Sequence, residues 1–237
     1  MNLDFIVYPL GSLLKVIYNF VGNYGLSIVI FTVIVRCALL PLTIKQSESS
    51  RKMNELNPKM KEIQEKYKND KNTQNQKLME LYQEHNYNPA SGCMPLLIQM
   101  PIIFSLFYVI QQPVKYVFGS QQVFDAVHKS FLWISNIGLL EQNATIFMVP
   151  VIGGIPLLAI LSGVTTWYQM KMITPTGAKV DPTMKTMNMI MPFMIAYFTY
   201  NVPAGLAVYW VIGNLFTIVQ QYVTMKLKPA VKEVKSK

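Results

Sequence analysis

Acidic side chains are missing from every long apolar stretch of this chain. Charge-free runs cover 16–35, 85–114, 142–170 and 186–225, so a cation lodged among them has no resident carboxylate to pair with. Cysteine is scarce as well. Cys37 and Cys93 show no CxxC spacing and have only His85 and His128 as possible co-ligands, which supports neither a disulfide framework nor a metal site. Both histidines fall outside the predicted spans and no aspartate pair lies within them, so the acid–base and nucleophile sets of a membrane protease are absent and an enzyme is not expected. The N-terminus has no basic region followed by a small-residue cleavage pattern, and a removable signal peptide is not expected.

What is present is apolar. Of 237 residues, 51% are hydrophobic and only 14% charged, the composition of a multi-span membrane protein rather than a soluble domain. The fourth charge-free run is too long for one span, and Asn201-Val202-Pro203 divides it, which gives five spans. The expected order is an extracellular amphipathic segment over 1–22, then spans over 23–44, 93–112, 145–169, 186–200 and 203–225. Between them lie a cytosolic insert over 45–90, an outer loop over 113–143 and a cytosolic loop over 170–185, with a basic tail over 226–237. Lysine and arginine concentrate in the insert, the 170–185 loop and the tail, which places the N-terminus outside and the C-terminus in the cytosol. The formal charge of +9 is therefore mostly an orientation signal. A tail lying near anionic lipid and a tail touching ribosomal RNA both fit it.

In the first segment, Ile6, Leu10, Leu13, Leu14 and Ile17 share one side and Ser12, Lys15 and Asn19 the other, an amphipathic helix for the outer interface. In the insert, Met53, Leu56, Met60, Ile63 and Tyr67 recur at spacings of three and four, and Leu78, Leu81, Tyr82 and His85 form a shorter seam. Asn69 to Asn75 reads as the turn between them, giving an antiparallel helical hairpin whose first arm Pro58 should kink or restart. A spacer and a docking arm are both open to such a hairpin. In the outer loop, Phe131, Leu132 and Trp133 read as an interfacial anchor.

One residue stands out. Arg36 lies inside the first span, where an arginine near the centre costs about 2.5 to 3.5 kcal/mol against the 0.3 to 0.6 returned by each large apolar neighbour. The span inserts in spite of Arg36, whose charge then needs water, carbonyls or an anion from elsewhere. Polar residues also line up in stripes: Thr32, Arg36 and Thr43 in the first span; Ser162, Thr165, Thr166 and Gln169 in the third; Trp210, Asn214, Thr217 and Gln221 in the fifth. Taken alone, Ser, Thr, Asn and Gln glue helices together. Together with Arg36, they point to a shared polar cavity, to which Gln99 of the second span is added. A cavity of this kind serves either an extended polypeptide or, as the alternative, a small solute or ion; the latter would call for acidic coupling residues or an inverted repeat, and neither is evident.

GCMPLLIQMPIIFSLF over 92–107, VPAGLAVYWVIGNLFTIVQQ over 202–221, and the first-span arginine followed by LLPLTIKQ over 39–46 resemble the YidC/Oxa/Alb family of membrane protein insertases. The short outer region resembles the Gram-positive type. The resemblance implies an all-α membrane protein with five transmembrane helices around a hydrophilic groove centred on Arg36, open to cytosol and lipid and closed outside. Trp210 matches a groove position, and Gln169, or Thr165 or Ser162 nearer mid-span, supplies the third-span counterpart. It further implies nascent membrane proteins as substrates, first met by the hairpin from Met53 to Tyr67, with the ribosome and the Sec translocon as partners of the tail. No cofactor, metal, small-molecule substrate or specific nucleic-acid sequence is implied.

Overall fold

The computed structural model describes residues 4–87, 94–140, 148–149, 153–154, 156–173 and 182–227. The side chains of Met53 and Gln99 lie outside what it describes, as do loop residues 174–181 and the tail from 228 onward. Helices make up most of the described residues, and nine α-helices are present among them: α1 Asp4–Val21, α2 Tyr24–Ala38, α3 Leu40–Lys66, α4 Lys71–Glu84, α5 Met94–Gln111, α6 Gln121–Asp125, α7 Leu157–Ile173, α8 Pro182–Tyr200 and α9 Ala204–Leu227. A π-helical turn, Val114–Phe118, follows α5, and an antiparallel ribbon pairs β1 Met148–Val149 with β2 Gly153–Gly154.

Local chemistry fixes where the helices stop and start. Gly22 takes φ +71°, the left-handed conformation that ends α1 at little cost for glycine, and its amide donates to the Tyr18 carbonyl at 2.8 Å. Asn23 then caps α2, its Oδ1 accepting from the Leu26 amide at 2.9 Å. The loop over 126–140 satisfies further groups at the starts of α2 and α9. The Asn23 side-chain Nδ2 donates to the Ser130 carbonyl at 2.8 Å and the backbone amide of Tyr24 to the His128 carbonyl at 3.1 Å. The Ala204 amide donates to the Leu139 carbonyl at 2.8 Å, and the Gly205 amide to the Ile137 carbonyl at 2.9 Å. One loop thus supplies acceptors for the first amides of α2 and α9, which carry no intrahelical partner.

Ile134 and Ile137 of that loop are fully buried in a cluster with Ile28 and Phe31 of α2, Leu106 and Val109 of α5, Leu206 and Tyr209 of α9, and Val7 and Leu14 of α1. α9 is the hub, packed against α2, α5, α7 and α8, while α7 and α8 pair with each other. Away from the cluster, Ile160 and Val164 of α7, Phe193 and Tyr197 of α8, and Val219 and Tyr222 of α9 stand with large apolar side chains about half exposed or more. A continuous apolar exterior of this kind suits lipid rather than water.

Several boundaries differ from the sequence expectation, each for a physical reason. The first span does not run unbroken over 23–44: the helix breaks at Leu39, because Pro41 has no N–H to return to the Cys37 carbonyl, and α3 starts afresh at Leu40. Pro58, expected to kink or restart the first arm, lies within the continuous α3 at an exposed position, where water can take the carbonyl bond that proline forgoes. The turn is shorter than 69–75. Asp70 caps α4, accepting from the amides of Asn72 and Thr73, both at 3.1 Å, so Lys71–Asn75 is already helix. In the third span, α7 starts at Leu157, after the ribbon and Pro156, while the expected start near Thr145 lies outside the described residues. By length and hydropathy, Asp4–Val21 and Ala204–Thr224 are long and apolar enough to cross a bilayer, while Tyr24–Ala38 and Met100–Gln111 are apolar but shorter.

Candidate functional site

Arg36 sits in the last turn of α2, three residues before the break. The carbonyl end of a helix carries partial negative charge, which favours a cation there without supplying a counter-ion. No carboxylate among the described residues pairs with it. Its guanidinium lies instead against α9. The ring of Tyr209, itself buried, has its centroid 6.0 Å from Cζ, at the outer limit of cation–π attraction, and a β-carbon built on Gly213 would come within 3.1 Å of Cζ and of Nε. Nε is buried without a hydrogen-bond partner among the described residues, although the residue as a whole is only partly covered.

One column further round α9, Asn214 is buried and spends its side-chain N–H groups on α7, donating to the Thr165 hydroxyl at 3.0 Å and the Thr166 hydroxyl at 2.9 Å. Thr165 in turn donates to the Leu161 carbonyl at 2.7 Å. This is the interhelical use of polar side chains in an apolar medium. Trp210 turns toward α8, its ring centroid 6.2 Å from that of Phe198, and its indole Nε1 is buried without a partner among the described residues. The same holds for the Ser162 hydroxyl, and Gln169 is half-buried. Thr32 is fully buried, with its hydroxyl donating to the Ile28 carbonyl of its own helix at 2.6 Å. Lower on α9, the Thr43 hydroxyl meets the Gln220 Oε1 at 3.2 Å.

Arg36 and Thr43 of the first-span stripe and Thr165 and Thr166 of the third-span stripe therefore contact α9 on two neighbouring columns. Tyr209, Gly213 and Gln220 face α2 and α3, while Trp210 and Asn214 face α7 and α8. Arg36 and the Asn214–Thr165–Thr166 set lie on adjacent sides of one helix. Tyr209, Gly213 and Gln220 were not among the sequence candidates. A glycine within a 24-residue apolar helix, four positions from a tyrosine, was the available signal for close approach.

In the hairpin, Leu56 is buried, and Met60 and Ile63 are partly buried, against Leu81, Tyr82 and Tyr87. The Tyr82 hydroxyl reaches the Met60 Sδ at 3.8 Å, and Tyr67 caps the end of α3. The seam thus forms the hairpin's own core. Asp70 is held below the ordinary carboxylate range, first by the hydroxyl of Thr73 and then by its backbone amide, and Glu80 raises the ammonium of Lys77 2.6 Å away.

Apolar helices with exposed greasy faces, polar side chains buried between them and an arginine without a carboxylate partner among the described residues define a helical membrane protein. The chain belongs to the family described as 60Kd inner membrane protein, whose profile matches residues 16–232. It is 38% identical over 223 residues to the membrane protein insertase MisCA of Bacillus subtilis, covering 92% of this chain and 77% of that one. It is 36% identical to the membrane protein insertase YidC of Fusobacterium nucleatum (92% and 93% covered) and to that of Syntrophobacter fumaroxidans (92% and 37%). The chain thus spans little more than a third of the Syntrophobacter relative. Among solved structures, an active YidC insertase with its first transmembrane domain resolved matches with a TM-score of 0.68 at 28% identity, covering 94% of this chain and 46% of the other.

Proposed function

We propose that this protein is a membrane protein insertase. It receives hydrophobic segments of nascent polypeptides from the cytosol into a hydrophilic groove centred on Arg36 and releases them into the lipid bilayer. The observation that carries this reading is the guanidinium of Arg36, set at a helix end in an apolar layer and pressed against α9 with no carboxylate partner among the described residues. Such a group attracts acidic or polar residues in the tail of a guest and shortens their path across the apolar layer. Hydrophobic transfer of the following segment drives its release, so the step requires no cofactor and no covalent chemistry.

In this reading the groove is lined by Arg36, Thr32, Gln99, Ser162, Thr165, Gln169, Trp210 and Asn214. The five spans, with the N-terminus outside and the C-terminus in the cytosol of the bacterial plasma membrane, set its opening toward the cytosol, and the packed loop over 126–140 favours closure on the outer side. The hairpin meets the guest first, and the tail approaches the ribosome or the Sec translocon. The experiment is site-specific crosslinking from positions 36, 165 and 210 to a stalled nascent membrane protein. Adducts at all three are expected, and adducts at none of them contradict the groove. Solute or ion flux in liposomes that depended on Arg36 would instead favour a transporter, a reading the insertase relatives do not favour.

A further inference from the structure

We infer that Gly213 is a positioning residue for Arg36: the missing side chain opens a seat on α9 that holds the guanidinium plane and decides which of its donors face a guest. The inference deepens the groove reading above and rests on it for its functional consequence. A β-carbon at 213 would come within 3.1 Å of Cζ and Nε and nearer still to Nη2, so the guanidinium occupies the volume that any other residue would fill. No unusual backbone conformation calls for glycine there, since Gly213 lies inside α9 without a positive φ. Glycine is the poorest helix former after proline, which leaves close approach as its use. The Gly213 carbonyl is already taken by the Thr217 hydroxyl at 2.9 Å, so the helix offers Arg36 space rather than an acceptor. Nε, buried against that space, has no partner among the described residues and is shielded there from a guest's carboxylate. Lysine, with a compact ammonium and no planar group, does not fill such a seat.

The chain has two arginines, Arg36 and Arg51, so arginine labelled with nitrogen-15 gives two Nε–H signals, and Arg51→Lys assigns them. The full chain in lipid nanodiscs is measured with and without Gly213→Ala. The atoms that a new methyl meets are the far end of a long side chain, so the fold is expected to survive. The Nε–H signal of Arg36 is expected to move and to exchange with water at least about tenfold faster. An unmoved, equally protected signal overturns the inference. Insertion of a substrate with an acidic tail is then compared in the two backgrounds. Gly213→Ala is expected to slow it about tenfold beside Arg36 and less than about twofold in the Arg36→Lys background. Equal losses in both mean ordinary packing and overturn the inference. If Arg36→Ala itself leaves insertion intact, the groove reading fails, while the Nε–H signal still decides whether Gly213 seats the arginine. Should Gly213→Ala fail to fold, the Arg36→Ala/Gly213→Ala pair is expected to fold, because the crowding group is gone. A pair that also fails contradicts the seat.

Discussion

Arg36 is held by groups that leave its charge unanswered: the carbonyl end of α2, the ring of Tyr209 and the bare α-carbon of Gly213. Asn214 is the opposite case. Both its N–H groups are spent on Thr165 and Thr166, so its role is structural before it is anything else. Replacing Asn214 with Ala is expected to cost about 1 kcal/mol of stability, in keeping with measured hydrogen bonds between membrane helices. Little further should be lost when Thr165→Ala and Thr166→Ala are added, because all three report one set of bonds; melting of the purified protein in detergent checks this. Arg36 was legible in the sequence because hydropathy isolates a lone charge, and Asn214 and Thr165 because helical spacing aligns them. Their partners were not legible. A one-chain stripe shows which residues share a face but not which helix that face meets, so Gly213 and Tyr209 emerged only when α2 was seen lying on α9.

At the scale of the helices, prolines divided into those that break and those that do not. Pro41, five residues after Arg36, ends α2, whereas Pro58 is carried inside α3. Spacing alone could not separate them, since the outcome depends on whether the next turn can be completed elsewhere. Replacing Pro41 with Ala restores a donor for the Cys37 carbonyl, and α2 and α3 are expected to fuse, slowing amide exchange over 39–41. The hairpin carries a pH dependence with a definite sign. Because Asp70 is held below its ordinary value in the folded state, its cap stabilises α4 fully above the ordinary carboxylate range. That contribution is lost as pH falls through the lowered value. Hairpin helicity followed by circular dichroism is expected to drop at acid pH in the native protein, and Asp70→Asn, which keeps an acceptor without the titrating group, should remove that part of the drop.

Across the whole molecule, the packing is uneven. The loop over 126–140 caps both α2 and α9 and closes one end with Ile134 and Ile137, while Arg36 lies toward the other. Leu132 stands at the tip of that loop, 74% exposed with φ +53°, a conformation bulky residues avoid, which suits an apolar anchor at the interface. The proposed topology puts this loop outside and the hairpin in the cytosol. With Cys37 and Cys93 replaced, an impermeant thiol reagent is expected to label Leu132→Cys from outside intact cells and Met79→Cys, on the exposed face of the hairpin, only after the membrane is opened. Helix order and the hairpin were legible because charge segregation and apolar period report them directly. The late start of α7 was not, since apolar residues over 145–156 fit a helix by composition while Pro150, Gly153, Gly154 and Pro156 resist one.

The most direct test pairs the arginine with its guest. Insertion of a small single-span substrate into liposomes is measured for the native protein and for Arg36→Ala, each with the substrate's tail acidic or neutralised. The expected result is that Arg36→Ala slows the acidic-tailed substrate about tenfold and leaves the neutral-tailed one within about twofold, a coupling of the size that charge pairs in shielded sites display. Equal effects on both tails, or none on either, would contradict a role for Arg36 in receiving an incoming carboxylate.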